Sequence, residues 1–339
     1  MSFAASIPAN VAPIIYGCTG TTLDADEKSF FKSASPAGFI LFKKNCDSPA
    51  QVTALVTELR NTVGWKAPVL IDQEGGRVQR LRPPHWPDFP AFRTFGEVYK
   101  QDPDKALKQL KANIDALACV QCGMGVDVNC VPVLDIVPDD NNAMAINDRA
   151  FGSSPTLVAA LGLAACEYAV ATGMTPVMKH MPGHGRAVVD SHYELPHVDA
   201  DKATLEGTDF LPFKTVASGM DNDTVWGMTA HVVYPTLDTE LPATLSPTII
   251  GTVIRGTIGF NGLLLTDDLF MEALGKWGDV PTRAALAIKA GCDIALHCHG
   301  TVPERAKAAE TVGVMPTQTR QRLQNWAAKS VDTLRASVA

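Results

Sequence analysis

Residues 37–72, AGFILFKKNCDSPAQVTALVTELRNTVGWKAPVLID, decide the fold, because two short apolar runs there enclose an amphipathic segment. The runs 37–43 and 67–72 are continuously apolar, as expected for parallel strands that are covered on both faces. The segment 49–63 between them has the pattern of a helix. This stretch therefore predicts a strand–helix–strand unit of an α/β fold.

The same alternation of strand and helix continues along the chain. The predicted strands are 12–18, 37–43, 67–72, 125–131, 175–179, 224–230, 261–267 and 292–297. The predicted helices lie near 24–34, 49–63, 101–122, 154–172, 201–218, 246–257, 280–290 and 302–312, and a last one lies near 316–336. Eight strands, each followed by a helix, predict a (β/α)8 barrel of the TIM type with an extra C-terminal helix.

The spacing of these elements predicts one catalytic domain over residues 1–339. No low-complexity linker and no repeat of 20–50 residues interrupts the pattern. The proline-rich stretch RPPHWPDFP, residues 82–90, reads as a long loop after the third strand and not as a domain boundary. A barrel of this length is within the usual range for a single domain.

Charge and hydropathy exclude several classes of partner. The net charge is −7 and the cations are scattered, so no basic face is available for nucleic acid. The first 18 residues lack both a cation and the long apolar core of a signal peptide. The apolar stretch 156–174 is interrupted by Glu167, which favours a buried helix over a membrane span. We therefore expect a soluble cytoplasmic protein without a membrane partner.

Cysteine and histidine spacing does not favour a metal site or a redox site. Cys119 and Cys122 form a lone C-x-x-C without a second pair at zinc spacing, and the eight cysteines are expected to be reduced. His180 and His184 have the spacing of one helical face, but a proline and a glycine between them oppose helical geometry. We therefore predict no metal and no cofactor.

Polar residues follow several of the predicted strands. They are Asp72, Asp135, Lys179, His180, His231, Asp267 and Asp268. In a (β/α)8 barrel the active site is built at the carboxyl ends of the strands. Each residue alone is typical of a strand-end cap or a buried ion pair. Their joint placement instead indicates a functional cleft that contains several ionisable groups.

The segment IDQEGGRVQRLR, residues 71–82, follows the third strand directly. Its two glycines permit a sharp turn that keeps Asp72 at the mouth of the barrel. The turn also allows one of the following arginines to fold back over Asp72. The carboxylate of Asp72 can accept hydrogen bonds from two neighbouring hydroxyls of a sugar. The alternative is a structural pair between Glu74 and Arg77.

The segment KHMPGHGRAVVDSH, residues 179–192, has the composition of a catalytic loop. The proline and glycines in 181–186 cannot continue a helix or a strand, so this loop is able to move. His192 is a candidate acid/base, and Asp190 two residues earlier is placed to fix its tautomer and raise its basicity.

The segment LLLTDDLFMEAL, residues 263–274, places a carboxylate at the end of a buried strand. Asp267 is the candidate nucleophile. Side chains of adjacent strand residues point to opposite sides, so Asp267 and Asp268 are not expected to face the same point. One of them can attack while the other is held by helix or loop donors. The alternative is that both are helix caps.

Six motifs together resemble glycoside hydrolase family 3, and specifically the bacterial β-N-acetylglucosaminidases of cell-wall recycling. They occur in the family's order and span most of the chain. They are GFILFKKN (38–45), LIDQEGGRVQRL (70–81), PVLDI (132–136), INDRAFG (146–152), KHMPGHG with DSH and LP (179–196) and LLLTDDLFMEAL (263–274). Met181, where the family usually has Phe, is one of a few departures.

The resemblance implies a retaining exo-glycosidase that releases terminal β-linked N-acetylglucosamine from cytoplasmic muropeptides of the GlcNAc-anhydroMurNAc type. No oligomer is predicted, so we expect a monomer. The resemblance also implies that Asp267 is the nucleophile and that His192, oriented by Asp190, is the acid/base. The sugar-binding residues that it implies are Asp72, Arg80, Arg149, Lys179 and His180.

Three other functions stay open at this stage. The first is a β-glucosidase or β-xylosidase of the same family, although the chain leaves no room for the second α/β domain that such members usually carry. The second is a non-catalytic muropeptide-binding sensor. The presence of Asp190, His192 and Asp267 argues against it, because a binding protein does not need all three. The third is a metal-dependent barrel hydrolase, which a chelator would inhibit.

Overall fold

Eight parallel strands close into a barrel in which each strand pairs with its neighbours in the chain and the eighth pairs with the first. The computed structural model describes residues 7–138 and 147–336, so residues 1–6 of the N-terminal segment and Ile146 of the fourth motif lie outside it. The predicted barrel is confirmed. The strands are β1 Ala12–Gly17, β2 Pro36–Leu41, β3 Val69–Ile71, β4 Val128–Asn129, β5 Thr175–Met181, β6 Trp226–Thr229, β7 Leu264–Asp268 and β8 Ile294–His297.

Helices surround the barrel, and a helix at the C-terminal end follows the last strand–helix unit as predicted. They are α1 Ala25–Ala34, α2 Pro49–Val63, α3 Phe92–Tyr99, α4 Pro103–Cys122, α5 Pro155–Ala171, α6 Lys202–Gly207, α7 Leu211–Gly219, α8 Val280–Ala290, α9 Val302–Val312 and α10 Thr317–Ala336.

The structure differs from the predicted helices in three places. Helix α3 was not predicted and lies between the proline-rich loop and α4. The predicted helix 201–218 is two helices, because Thr208 leaves helical geometry at φ −124° and ψ −72°. The segment Ile249–Thr257 is π-helical, and the N–H of Ile258 accordingly bonds to the carbonyl oxygen of Val253 five residues earlier.

Helix α2 illustrates why these segments are helical. The side chain of Ser48 accepts a hydrogen bond from the N–H of Gln51, and Pro49 occupies the first turn, where its missing N–H costs nothing. Gly64 ends the helix at φ 73°, a conformation that glycine adopts without strain. The buried face of α2 is Val52, Leu55, Val56 and Leu59.

The core lies inside the barrel and between the strands and the helices. Strands β1 to β6 are buried along their whole length, which explains why the sequences of β1, β2 and β3 are continuously apolar. Trp326 of α10 is buried, and its indole N–H donates to Thr175 at the start of β5, 2.8 Å away. Helix α10 therefore covers the amino-terminal end of the barrel. None of the helices in the described ranges is long and apolar enough to cross a bilayer.

Candidate active site

A cavity of about 380 Å³ opens at the carboxyl ends of the strands. Its size is within the range of small-molecule sites. Seven of the eight predicted site residues line it, and the eighth, Asp190, is bonded to His192. The seven are Asp72, Arg80, Arg149, Lys179, His180, His192 and Asp267.

A network of ion pairs forms one wall of this cavity. The buried Lys179 ammonium lies 2.9 Å from Oδ1 of Asp72 and 2.7 Å from Oε1 of Glu74. Arg149 donates two hydrogen bonds to the carboxylate of Glu74, over 2.8 and 2.9 Å. Arg80 donates one hydrogen bond to Asp72 over 3.1 Å. The sequence predicted that one of the arginines after β3 would fold back over Asp72, and in the structure this residue is Arg80.

The charges in this network stabilise one another. Burial alone raises the pKa of Glu74, but Arg149 and Lys179 outweigh it and lower the pKa to about 2. The pKa of Asp72 is likewise held below its usual range, because Lys179 and Arg80 outweigh the effect of burial. Burial lowers the pKa of Lys179, but the two carboxylates raise it above its usual range. All of these groups are therefore charged at neutral pH, and their remaining donors and acceptors can bind sugar hydroxyls.

Glu74 was not predicted as a site residue. The alternative that paired it with Arg77 is wrong, because Arg77 instead lies 3.2 Å from Asp148. Glu74 follows Asp72 by two residues, and residues two apart in an extended segment point to the same side. That spacing was the signal available in the sequence.

Replacing Glu74 by Gln is expected to lower the free energy of unfolding by about 3 kcal/mol, because two buried cations lose a shared carboxylate. Urea unfolding measures this. The matched control is Glu97→Gln, which breaks an exposed pair with Lys100 and should cost less than about 1 kcal/mol.

The pH dependence of this effect has a definite sign. The pKa of Glu74 in the folded state, about 2, is below its ordinary value of 4.5. Its contribution to stability is therefore complete above pH 4.5 and is lost as the pH falls from 4.5 towards 2. The stability difference between wild type and the Gln variant should narrow over that interval, and a difference independent of pH would contradict the ionised pair.

The carboxylate of Asp267 lies at the end of β7 and lines the cavity. One oxygen accepts the N–H of Asp268 over 2.8 Å, and the other lies 3.9 Å from Nε2 of His180. Nδ1 of His180 lies 2.7 Å from the fully buried Asp135. Burial raises the pKa of Asp267, but His180, His231 and the N–H of Asp268 outweigh it and lower the pKa. Asp267 is therefore ionised at neutral pH, as a nucleophile must be.

Asp268 lines the same cavity, contrary to the expectation that adjacent strand residues face apart. The pairing of β7 with β8 is irregular between Leu265 and Asp268, so the strict alternation of side chains breaks down there. The N–H groups of Phe270 and Cys298 hold one carboxylate oxygen over 3.1 and 3.3 Å, which fits the expectation of loop donors for one aspartate. Burial raises the pKa of Asp268 to about 6, and the charge of Asp267 adds to this rise.

The pair Asp190–His192 is formed as the sequence predicts. One oxygen of Asp190 accepts hydrogen bonds from the N–H and from Nδ1 of His192, over 3.0 and 2.7 Å. Partial burial raises the pKa of Asp190, but these bonds outweigh it and lower the pKa. The proton on Nδ1 leaves Nε2 of the mostly exposed imidazole available for proton transfer.

The loop that carries this pair is anchored beside it. Ser191 is buried, its hydroxyl lies 3.1 Å from Nε2 of His184, and its carbonyl oxygen accepts the N–H of Ala273. Residues 181–185, where the proline and glycines were expected to allow the loop to move, are buried. A β-carbon at Gly185 would lie 1.9 Å from the carbonyl oxygen of Ile136, so glycine there permits close packing.

Comparison with known proteins identifies the family. The profile of the "Glycosyl hydrolase family 3 N terminal domain" matches residues 15–328. The chain belongs to glycoside hydrolase family 3. It is therefore a glycoside hydrolase, and the predicted family is confirmed.

Several relatives are similar over most of the chain. A β-hexosaminidase of Bordetella avium is 36% identical over 289 residues, which are 85% of this chain and 80% of the relative. One of Alkalilimnicola ehrlichii is 38% identical over 296 residues, covering 85% and 81%. NagZ from Neisseria gonorrhoeae, solved with N-trifluoroacetyl-D-glucosamine, superposes with a TM-score of 0.82 at 29% identity and 97% coverage of both chains.

A longer relative shares the same fold. A family 3 β-N-acetylglucosaminidase from Paenibacillus superposes with a TM-score of 0.80 at 28% identity. The superposition covers 96% of this chain but only 62% of that protein. This chain thus corresponds to somewhat less than two thirds of the Paenibacillus enzyme.

The side chains known to bind metals do not cluster in the part of the chain that the structure describes. Over 7–138 and 147–336, no three His, Cys, Asp or Glu residues come together in a way that could hold a metal ion. Cys119 and Cys122 are exposed at the end of α4 and do not line the cavity.

Proposed function

We propose that this protein is a retaining exo-glycosidase that releases a non-reducing terminal β-linked N-acetylglucosamine. The observation that carries the proposal is the presence of an ionised carboxylate, Asp267, and a carboxylate-bound imidazole, His192, in one cavity. The relatives named β-hexosaminidase support the choice of sugar. A covalent intermediate between the sugar and Asp267 divides the reaction into two steps.

In the first step, Asp267 attacks the anomeric carbon and forms the glycosyl ester. His192 donates the proton on Nε2 to the departing oxygen, so the leaving group departs as a neutral alcohol. In the second step, the neutral His192 removes a proton from water, which attacks the anomeric carbon and releases Asp267. Two displacements at one carbon retain its configuration.

The ion-pair wall explains why the enzyme would act at the chain end. Asp72, Glu74, Arg149 and Lys179 are held rigidly by one another at one side of the cavity. They offer carboxylate acceptors and cationic donors to the hydroxyls of one sugar ring. We propose that Arg80 and His180 complete this set. We infer that this set of fixed polar groups holds one terminal sugar ring, which favours action at the end of a glycan chain.

The natural substrate in this proposal is a muropeptide of the GlcNAc-anhydroMurNAc type, and the compartment is the cytoplasm. Both rest on the resemblance to the enzymes of cell-wall recycling. The chain would act as a monomer and as one domain over residues 1–339, and its partner would be the sugar substrate alone.

Initial rates on 4-nitrophenyl N-acetyl-β-D-glucosaminide and on the matching glucoside test the proposal. We expect the N-acetyl substrate to be hydrolysed at least about tenfold faster, which corresponds to a difference of about 1.4 kcal/mol between the two transition states. A faster reaction on the glucoside would favour the β-glucosidase alternative. Turnover of neither substrate, nor of a muropeptide, would favour the sensor. Inhibition by a chelator would favour a metal-dependent hydrolase.

A further inference from the structure

The loop that carries His192 also exposes two large apolar side chains. Within the described residues, the large hydrophobic side chains that are mostly exposed are Val188 (69%), Tyr193 (78%) and Val314 (65%). Val188 and Tyr193 lie five residues apart on the loop of the acid/base pair. Their position on the loop of the acid/base pair raises the question of whether one of them contacts a ligand.

Tyr193 is held in a defined position relative to the acid/base. Its N–H donates to the carbonyl oxygen of Asp190 over 2.9 Å, and the N–H of Glu194 donates to the same oxygen over 3.0 Å. The side chain of Asp190 holds His192. Asp190 thus holds the ring of His192 through its side chain and the backbone of Tyr193 through its carbonyl oxygen. The centroids of the two rings are 6.5 Å apart, with an angle of 52° between their planes.

The position of the acid nitrogen fixes where the leaving group lies. Nε2 of His192 must come within about 3 Å of the glycosidic oxygen to protonate it. This oxygen joins the terminal sugar to the leaving group, and the ion-pair wall is available for the terminal sugar. The leaving group of the proposed reaction therefore lies next to His192. Tyr193 does not line the cavity itself, but its ring is the neighbour of the His192 ring on the same loop.

We propose that Tyr193 is a specificity-determining residue that stacks on a sugar ring in the leaving group. A phenol presents a flat apolar face with a polar tip, which suits a pyranose ring with an apolar C–H face and polar edges. Val188 is the other exposed apolar side chain on this loop. This inference rests on the proposed function, because it assigns the leaving-group side of the same site.

Tyr193→Ala, measured on two substrates, tests the proposal. N,N′-diacetylchitobiose has a sugar as its leaving group, whereas N-acetyl-β-D-glucosaminyl fluoride has no leaving ring at all. We expect kcat/KM to fall about tenfold on chitobiose and less than about twofold on the fluoride. Tyr193→Trp, which keeps an aromatic face, should restore most of the rate on chitobiose.

Val314→Ala is the matched control, because Val314 is similarly exposed and lies next to Met315, which bonds to Val11 at the amino-terminal end of the barrel. It should leave both rates unchanged. An unchanged rate of Tyr193→Ala on chitobiose would overturn the proposal. Equal losses on both substrates would also overturn it, because Tyr193 would then only position the loop. If the wild type hydrolysed neither substrate, the proposed function itself would fail, and this inference with it.

Discussion

Replacing Asp267 by alanine is expected to lower kcat on 4-nitrophenyl N-acetyl-β-D-glucosaminide by about 10⁴-fold or more. The loss is this large because the variant has no group to form the covalent intermediate. Steady-state rates measure it. Added azide should restore turnover, because this small anion can attack the anomeric carbon from the side that the carboxylate occupied in the wild type. A single displacement of the aryl oxygen inverts the configuration, so the expected product is the α-glycosyl azide.

Asp268→Asn is the matched control for this experiment. Asp268 is the adjacent carboxylate, it lines the same cavity, and its oxygen is held by the N–H groups of Phe270 and Cys298. The amide oxygen of Asn can keep these two hydrogen bonds, so we expect a loss of less than about tenfold. If Asp268→Asn were the more damaged variant, or if Asp267→Ala kept substantial turnover, Asp268 would become the candidate nucleophile.

Replacing His192 by alanine is expected to lower kcat/KM on chitobiose by about 10²–10⁴-fold, the usual contribution of a positioned acid. The same variant should lose less than about tenfold in kcat/KM on the 4-nitrophenyl substrate, because 4-nitrophenolate departs without a proton. The quantity kcat/KM reports the first step, so the comparison isolates the acid role from the later activation of water.

Asp190→Asn is the control for the His192 experiment. It preserves the shape of the hydrogen-bond acceptor that faces Nδ1 but removes the charge that favours the imidazolium. We expect a smaller loss than for His192→Ala, again larger on chitobiose than on the aryl substrate. Equal losses on the two substrates for His192→Ala would exclude His192 as the acid.

The sequence predicted the parts of the site that depend on local pattern. Asp190 and His192 are two residues apart, and their contact forms within one short turn of the chain. Asp267 follows a continuous apolar run, which places it at the end of a strand, and a barrel gathers such ends at one mouth. These features need little beyond strand assignment and the general geometry of the fold.

The helices were harder to predict because their differences depend on single backbone angles and on packing. The break at Thr208 and the π-helical bonding of Ile249–Thr257 leave no strong mark on hydrophobic periodicity. Helix α3 is short and follows several prolines, so its pattern is easily taken for a loop.

The sequence by itself determined the barrel, its family and the strand-end residues, because alternating periodicity and local motifs carry that information. Only the tertiary structure decided the partners of Glu74, since closure of the barrel brings it to Arg149 and Lys179, which are 75 and 105 positions away in the chain. The close packing of Gly185 on Ile136 was decided in the same way. Contacts between residues distant in the chain depend on three-dimensional packing, and no local pattern records them.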